Sequence, residues 1–430
     1  MTSGVRTYWQ AQGHVATRMV LLGALLGGIA WLVTHNQPVH PILRTVTVGP
    51  FPLAVRVDEH SHHAFVLSVA RDNASAAEVS MIDTTTGRLL RATVVAQFPQ
   101  ALTMDMRTGH VFIANADNTV RILDARTGDV LRTSSVRATS GATTMMVDGA
   151  PYAHVFMLGD VNVSMLDARS GRVLRTIPMG LHPQGMAVDT HTGHVVVAGY
   201  ADASSVGTVR VLDARTGSIL RSINLNQSPS PGEMAVDEQS GRTFVMDRLI
   251  DTVSVLDAES GRVLRTVTIG SFPQALAVDA PTGRVFVTAY SGSGSGRVCM
   301  LDARSGRLLQ KVVVGGSPVA LAVVERTGRV VVAAVSPGVG AHTGSISILD
   351  GTVGRVVRTI PVLLAPRAMA VDQIRARTIV AGDAISGAEP RSDPWWWVPL
   401  GLRRWLLFLA QRPGAPATGA AATVLDTSRL

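Results

Sequence analysis

The residues best equipped for chemistry are regularly spaced aspartates. Asp83, Asp124, Asp167, Asp213, Asp257, Asp302 and Asp350 follow one another at steps of 41, 43, 46, 44, 45 and 48 residues, and Asp426 adds a copy 76 residues later. A ring of carboxylates would suit cation binding. Most of them, however, open one phrase, Asp-x-x-Thr/Ser-Gly, as in Asp213-Ala-Arg-Thr-Gly217. In such a turn the carboxylate accepts backbone N–H groups and the glycine takes the residue with positive φ. These aspartates are expected to serve their own turns, and no metal site is expected from them. His60, His62 and His63 form a local histidine cluster, a candidate for an adventitious metal ion only.

Other reactive chemistry is sparse. Cys299 is the single cysteine, which excludes an intramolecular disulfide and a Cys-x-x-Cys-His haem attachment. It lies in a strand-like stretch, Val298 to Leu301, and is expected as a buried structural thiol. No nucleophile motif or His/Cys metal spacing is present. Gly292-Ser-Gly-Ser-Gly296 opens no helix and is expected as a loop, not a phosphate cradle. No catalytic residue is nominated and no cofactor is expected.

The elements that must position any site follow from the repeat. A period in the mid-forties with four strands per period predicts a propeller. In one complete repeat the strands are Phe272–Asp279 (A), Arg284–Thr288 (B), Arg297–Asp302 (C) and Arg307–Val312 (D), supported by alternation and β-branched residues. Strand A recurs with ends at Asp58, Asp105, Asp148, Asp189, Asp237, Asp279, Val324 and Asp372. The fold expected is all-β, a single eight-bladed propeller over residues 41–430, with seven blades as the alternative. The last blade lacks its own D strand. The N-terminal strand 42–48 is expected to fill that place beside the C-terminal strand 422–427, with Thr45–Val48 pairing Thr423–Asp426.

Both turns of each repeat that carry Asp and Gly fall on one face of the ring. The other face, the mouth, is built from D–A and B–C loops. It offers Gln100, His182, Gln184, Tyr200, Gln274, Tyr290 and Arg367, which suit a polar or anionic ligand or stand as solvated loop residues. Arg56 occupies the strand-A position held by Ala187, Ala235, Ala277, Ala322 and Ala370 in other repeats. It reads as either a functional guanidinium or a displaced edge.

Composition adds two points. The formal net charge is +8, and Lys311 is the only lysine. Anionic partners, nucleic acid or lipid headgroups, would fit this charge; so would arginines that solvate turns and edge strands. All six tryptophans lie outside the repeats, among them Trp31, Trp395, Trp396, Trp397 and Trp405. Residues 1–18 read as a cytoplasmic segment, 19–34 as a transmembrane signal-anchor helix and 35–40 as a linker, which places the propeller outside the cytoplasmic membrane. A cleaved signal peptide with secretion is the alternative. A Trp-rich insertion, 382–419, interrupts the last blade; its centre, 395–410, reads as an interfacial helix, or as a plug over the mouth or a partner-binding patch.

The repeats resemble the YVTN/YncE-like β-propeller family, within the group that includes quinoprotein amine dehydrogenase-type propellers. The matching residues are Gly270-Ser-Phe-Pro273, the Ala-Val-Asp with Thr-Gly-Arg, and the Leu-Asp-Ala-x-Ser/Thr-Gly, over about residues 41–382 and the final strand. The resemblance implies the fold and leaves function open. That family is often seven-bladed, and the count of eight departs from it. The function expected is a membrane-anchored, extracytoplasmic scaffold for a ligand or protein. The alternatives are a quinoprotein-type oxidoreductase or propeller-based hydrolase, and a nucleic-acid-binding propeller.

Overall fold

The computed structural model describes residues 42–69, 77–95, 98–136, 144–148, 152–201, 207–225, 231–270, 272–290, 295–336, 343–385 and 418–429. The anchor, the linker, Trp31, Trp395, Trp396, Trp397, Trp405 and the insertion's helix lie outside them. Among the described residues no helix is long and apolar enough to cross a membrane.

The described strands form eight four-stranded antiparallel sheets, one per repeat. In blade 1 they run Pro52–Asp58, His63–Ser68, Glu78–Asp83 and Leu89–Val94. Blade 8 joins Leu364–Asp372, Arg377–Ile385 and Thr418–Asp426 to the N-terminal Ile42–Val48, which takes the outermost place. The ring is thus stitched from both ends of the chain, and no inner edge is left open. The register differs from the expected one. Thr45–Val48 pair with Thr423 back to Ala420, and Arg44 and Ile42 meet Val424 and Leu425. The last strand begins at Thr418, four residues before its expected start, so Val48 meets Ala420 within it; the bulge at Leu43 alters only the pairing of Ile42.

Each blade is too thin to bury its own faces, so the core lies between blades. Val55, Val57 and Val66 of blade 1 pack against Ala368, Ile379, Ala422 and Val424 of blade 8. Phe65 and Leu67 meet Leu102 and Met104 of blade 2 on the other side. Equivalent clusters fill every remaining interface around the ring. A fully buried phenylalanine sits at the same strand-B position in blades 1, 2, 3, 5 and 6: Phe65, Phe112, Phe156, Phe244 and Phe286. Large residues opposite the small ones of strand A give the close packing that interiors require.

The turns behave as their sequence demands. Asp83 Oδ1 accepts the N–H groups of Thr85 and Thr86 at 2.7 and 2.9 Å, and Gly87 has φ 66°. The arginines lace neighbours together. Arg91, Arg132 and Arg175 donate from outer strands to Thr127, Ser170 and Thr216 carbonyls of the following blade at 3.1, 2.5 and 2.7 Å. Histidines do the same further in. His63, His110 and His154 place Nδ1 2.9 Å from the carbonyls of Ala125, Ala168 and Ala214. His63 therefore holds two blades together instead of facing a metal. Among the described residues no group of three or more His, Cys, Asp or Glu side chains is arranged to hold one.

Candidate functional site

The mouth is built on the first residues of strand A. There seven of the eight blades, all but blade 3, carry a proline, then a register shift, as at Pro99/Ala101, Pro183/Gly185, Pro273/Leu276 and Pro366/Ala368. The residue after the proline is Gln100, Gln184, Gln274 or Arg367, so these four side chains occupy equivalent places around the ring. Gln184 and Arg367 are exposed; Gln100 and Gln274 are half-buried. Arg367 is not free: its Nε lies 2.7 Å from Asp383 Oδ2, and its guanidinium carbon is 5.4 Å from the centre of the Phe51 ring. His182 and Tyr200 form a pair with ring centres 5.4 Å apart, and His182 Nδ1 lies 3.2 Å from the Asp160 carbonyl. Tyr290 is tied to the same face by its N–H, which donates to the Phe272 carbonyl at 3.3 Å.

Arg56 does not join them. It sits three residues further along strand A than the glutamines, roughly 10 Å down the channel. The predicted set is therefore divided into separate contacts around a ring, with one arginine below it.

Three residues that sequence reasoning missed give the mouth its character. Phe51, Phe98 and Phe272 each precede a buried strand-A proline and have φ of 43°, 55° and 51°. Left-handed backbone at a bulky residue costs energy and persists only where surrounding structure enforces it. The enforcement is visible. The N–H groups of Val69, Ala116 and Tyr290 bond the carbonyls of Phe51, Phe98 and Phe272 at 3.1, 3.0 and 3.3 Å. Asp251 Oδ1 accepts the Phe272 N–H at 2.8 Å. The result is two aromatic rings held in solvent, Phe98 44% exposed and Phe272 58% exposed. Leu249 joins them at 70% exposure, on a turn fixed by Asp247 Oδ1 accepting the Leu249 and Ile250 N–H groups. The recurrence of Phe-Pro at the start of strand A was the available signal.

One carboxyl near the mouth is unusual. Glu233 stands in strand A of blade 5 where six other blades have alanine or glycine and blade 3 has Thr144. Burial raises its pKa, against the opposing effects of the Leu276 N–H, 3.4 Å from Oε1, and of Arg248. Arg248 Nη2 in turn reaches the Gln274 carbonyl at 3.5 Å.

The fold and this face define a β-propeller that presents apolar anchors around a polar ring at one mouth. The chain belongs to the PQQ_2 propeller family, described as outer membrane protein assembly factor BamB, whose model matches residues 24–206 and 205–388. The crystal structure of BamB from Moraxella catarrhalis has the same fold, with a TM-score of 0.54 at 15% identity over 79% of this chain and 96% of that one. No curated protein matches the chain. Solved chains that match number 1812, so the fold alone selects no activity.

Proposed function

We propose that this propeller is a scaffold that docks a polypeptide on its mouth face, tethered outside the cytoplasmic membrane by its N-terminal segment. The observation that carries the reading is the exposure of Phe98 and Phe272 on strained backbone. Aromatic anchors surrounded by polar groups are the composition of a protein-docking patch. Gln100, Gln184 and Gln274 supply hydrogen bonds suited to a peptide backbone. The family's description, an assembly factor for outer membrane proteins, favours a polypeptide over a small ligand. The Gly-x-x-Pro and Leu-Asp-Ala signatures keep a YVTN/YncE-like repeat as the finer family reading. The tether rests on the uncharged run Met19 to Val33 and the arginines before it.

The test is co-purification from native membranes in mild detergent. Phe98→Ser with Phe272→Ser should cut recovery of the bound protein by about tenfold, as expected for loss of two anchors. Unchanged recovery, or a stoichiometric quinone or haem chromophore in the purified protein, would reject the scaffold. Carbonate washing should leave the full chain in membranes and release a chain lacking Met1–Val33; release of both would reject the tether.

A further inference from the structure

Arg56 is exposed although it lies on the innermost strand of blade 1, so the solvent it meets is that of the central channel. Its neighbours in the strand, Val55 and Val57, are buried against blade 8. At the equivalent position blades 4 to 8 carry Ala187, Ala235, Ala277, Ala322 and Ala370, and blade 2 carries Thr103, all shorter than arginine. Among the described residues its one hydrogen bond is local, Nη1 donating to the Val55 carbonyl at 2.8 Å, and it makes no ion pair. Protein surrounds it closely enough that desolvation lowers its pKa. A guanidinium has five N–H donors in a planar fork, and one bond leaves most of the fork unused.

The far rim of the channel carries three glutamates. Glu59, Glu238 and Glu325 directly follow the ends of their A strands. Glu59 Oε1 accepts the Gln373 N–H at 2.9 Å, Gln373 Oε1 accepts the Glu325 N–H at 3.0 Å, and Glu238 Oε1 accepts the Thr190 N–H at 2.8 Å. Burial, then the Asp279 and Glu59 carboxylates, raise the pKa of Glu325, as expected where negative charge accumulates. Arg56 offers an anion a cationic group inside the channel, away from these carboxylates.

We propose that the channel is a carboxylate-binding site in which Arg56 grips the ligand through its guanidinium fork. A planar carboxylate matches that fork with two parallel bonds. The carboxylate belongs to a small organic acid or to an acidic residue of a polypeptide. The site does not depend on the mouth docking a protein, because its test reads the binding of defined probes.

The experiment is titration calorimetry at low salt on the full chain in detergent, with citrate, hexaglutamate peptide and inorganic phosphate as probes. Arg56→Ala installs the residue that other blades carry at this position, so the fold is retained; protection of the Cys299 thiol checks this. Citrate or hexaglutamate should bind the unaltered chain. Arg56→Ala should weaken binding by about tenfold or more, as loss of a charged hydrogen-bonded pair requires. Arg56→Lys should weaken it less, and Arg126→Ala, on an outer turn, not at all. Binding of the peptide marks a polypeptide source, and binding of citrate alone marks a small acid. Absence of binding by both, equal binding by Arg56→Ala, or tighter binding of phosphate than of citrate would overturn the proposal.

Discussion

The hydroxyls of Thr45 and Thr423 lie 3.0 Å apart although 378 residues separate them in the chain. This contact sits in the pairing that closes the ring, where blade 8 receives its outer strand from the N-terminus. Removing the hydroxyl by Thr423→Ala should cost about 1 kcal/mol. Deleting Ala421–Leu430 is far more severe. It removes Ala422 and Val424 from the core shared with blade 1 and leaves Ile42–Thr47 without partners. The shortened chain should lose its cooperative thermal transition; a melt like that of the full chain would contradict closure.

Cys299 reports on the same ring from the inside. It is fully buried between blades 5 and 6, with Sγ 3.4 Å from the Ile269 carbonyl. Burial pushes its pKa up to about 11, against the opposing charges of Lys311 and Arg297. The thiolate is the reactive form, so the folded protein should resist a thiol reagent at pH 8 and react at the rate of unfolding. Prompt stoichiometric labelling of the folded chain would show the packing to be wrong.

Glu233 predicts a pH dependence. Burial holds its folded-state pKa above the ordinary value of 4.5. Stability is therefore fullest below 4.5 and is lost as pH rises through the folded-state value. Glu233→Gln keeps an acceptor for the Leu276 N–H and removes the charge. It should match the parent protein at pH 4 and exceed it in denaturant midpoint at pH 8. A variant less stable at pH 8 would assign the carboxylate a compensating partner.

Asp279 is fully buried, and neither carboxylate oxygen has a partner. In the equivalent turn of blade 2, Asp105 Oδ1 accepts the Arg107 N–H at 3.1 Å. Blade 6 has Pro281 there, which has no N–H to give. Gly283 bonds the Ala280 carbonyl in place of the aspartate's own. Pro281→Arg restores the donor. A hydrogen bond to a charged group contributes about 1.5–3 kcal/mol, against about 0.4–1 kcal/mol for the lost rigidity of proline. Thermal unfolding should therefore show a gain of roughly 1 kcal/mol, and a loss would mean that the proline fixes the turn.

The blades were legible because their signals are local and repeated. The Asp-Gly turns, the short β-branched and aromatic runs such as Val285–Phe286–Val287 and the spare strand at Ile42 each follow from short-range chemistry. The site was less legible. Gln100, Gln184, Gln274 and Arg367 emerged as a set because they follow the same proline. Arg56 was singled out by contrast with its alanine counterparts, but its separation from the mouth depends on depth along the strand. Phe98 and Phe272 were missed because an aromatic residue reads as core unless the turn before it is known to point outward. Arg367 was expected to be available, and its pairing with Asp383 depends on how strands A and B of blade 8 extend beyond the repeat.

The measurement closest to the central claim is site-specific photocrosslinking in native membranes. A benzophenone side chain would replace Phe98 or Phe272 at the mouth, Leu131 on an outer strand or Met106 on the Asp-Gly face. A discrete protein adduct of one mass from the two mouth positions, with none from Leu131 or Met106, is the result that polypeptide docking at the mouth predicts. No adduct from Phe98 and Phe272, or equal adducts from all four positions, would contradict it.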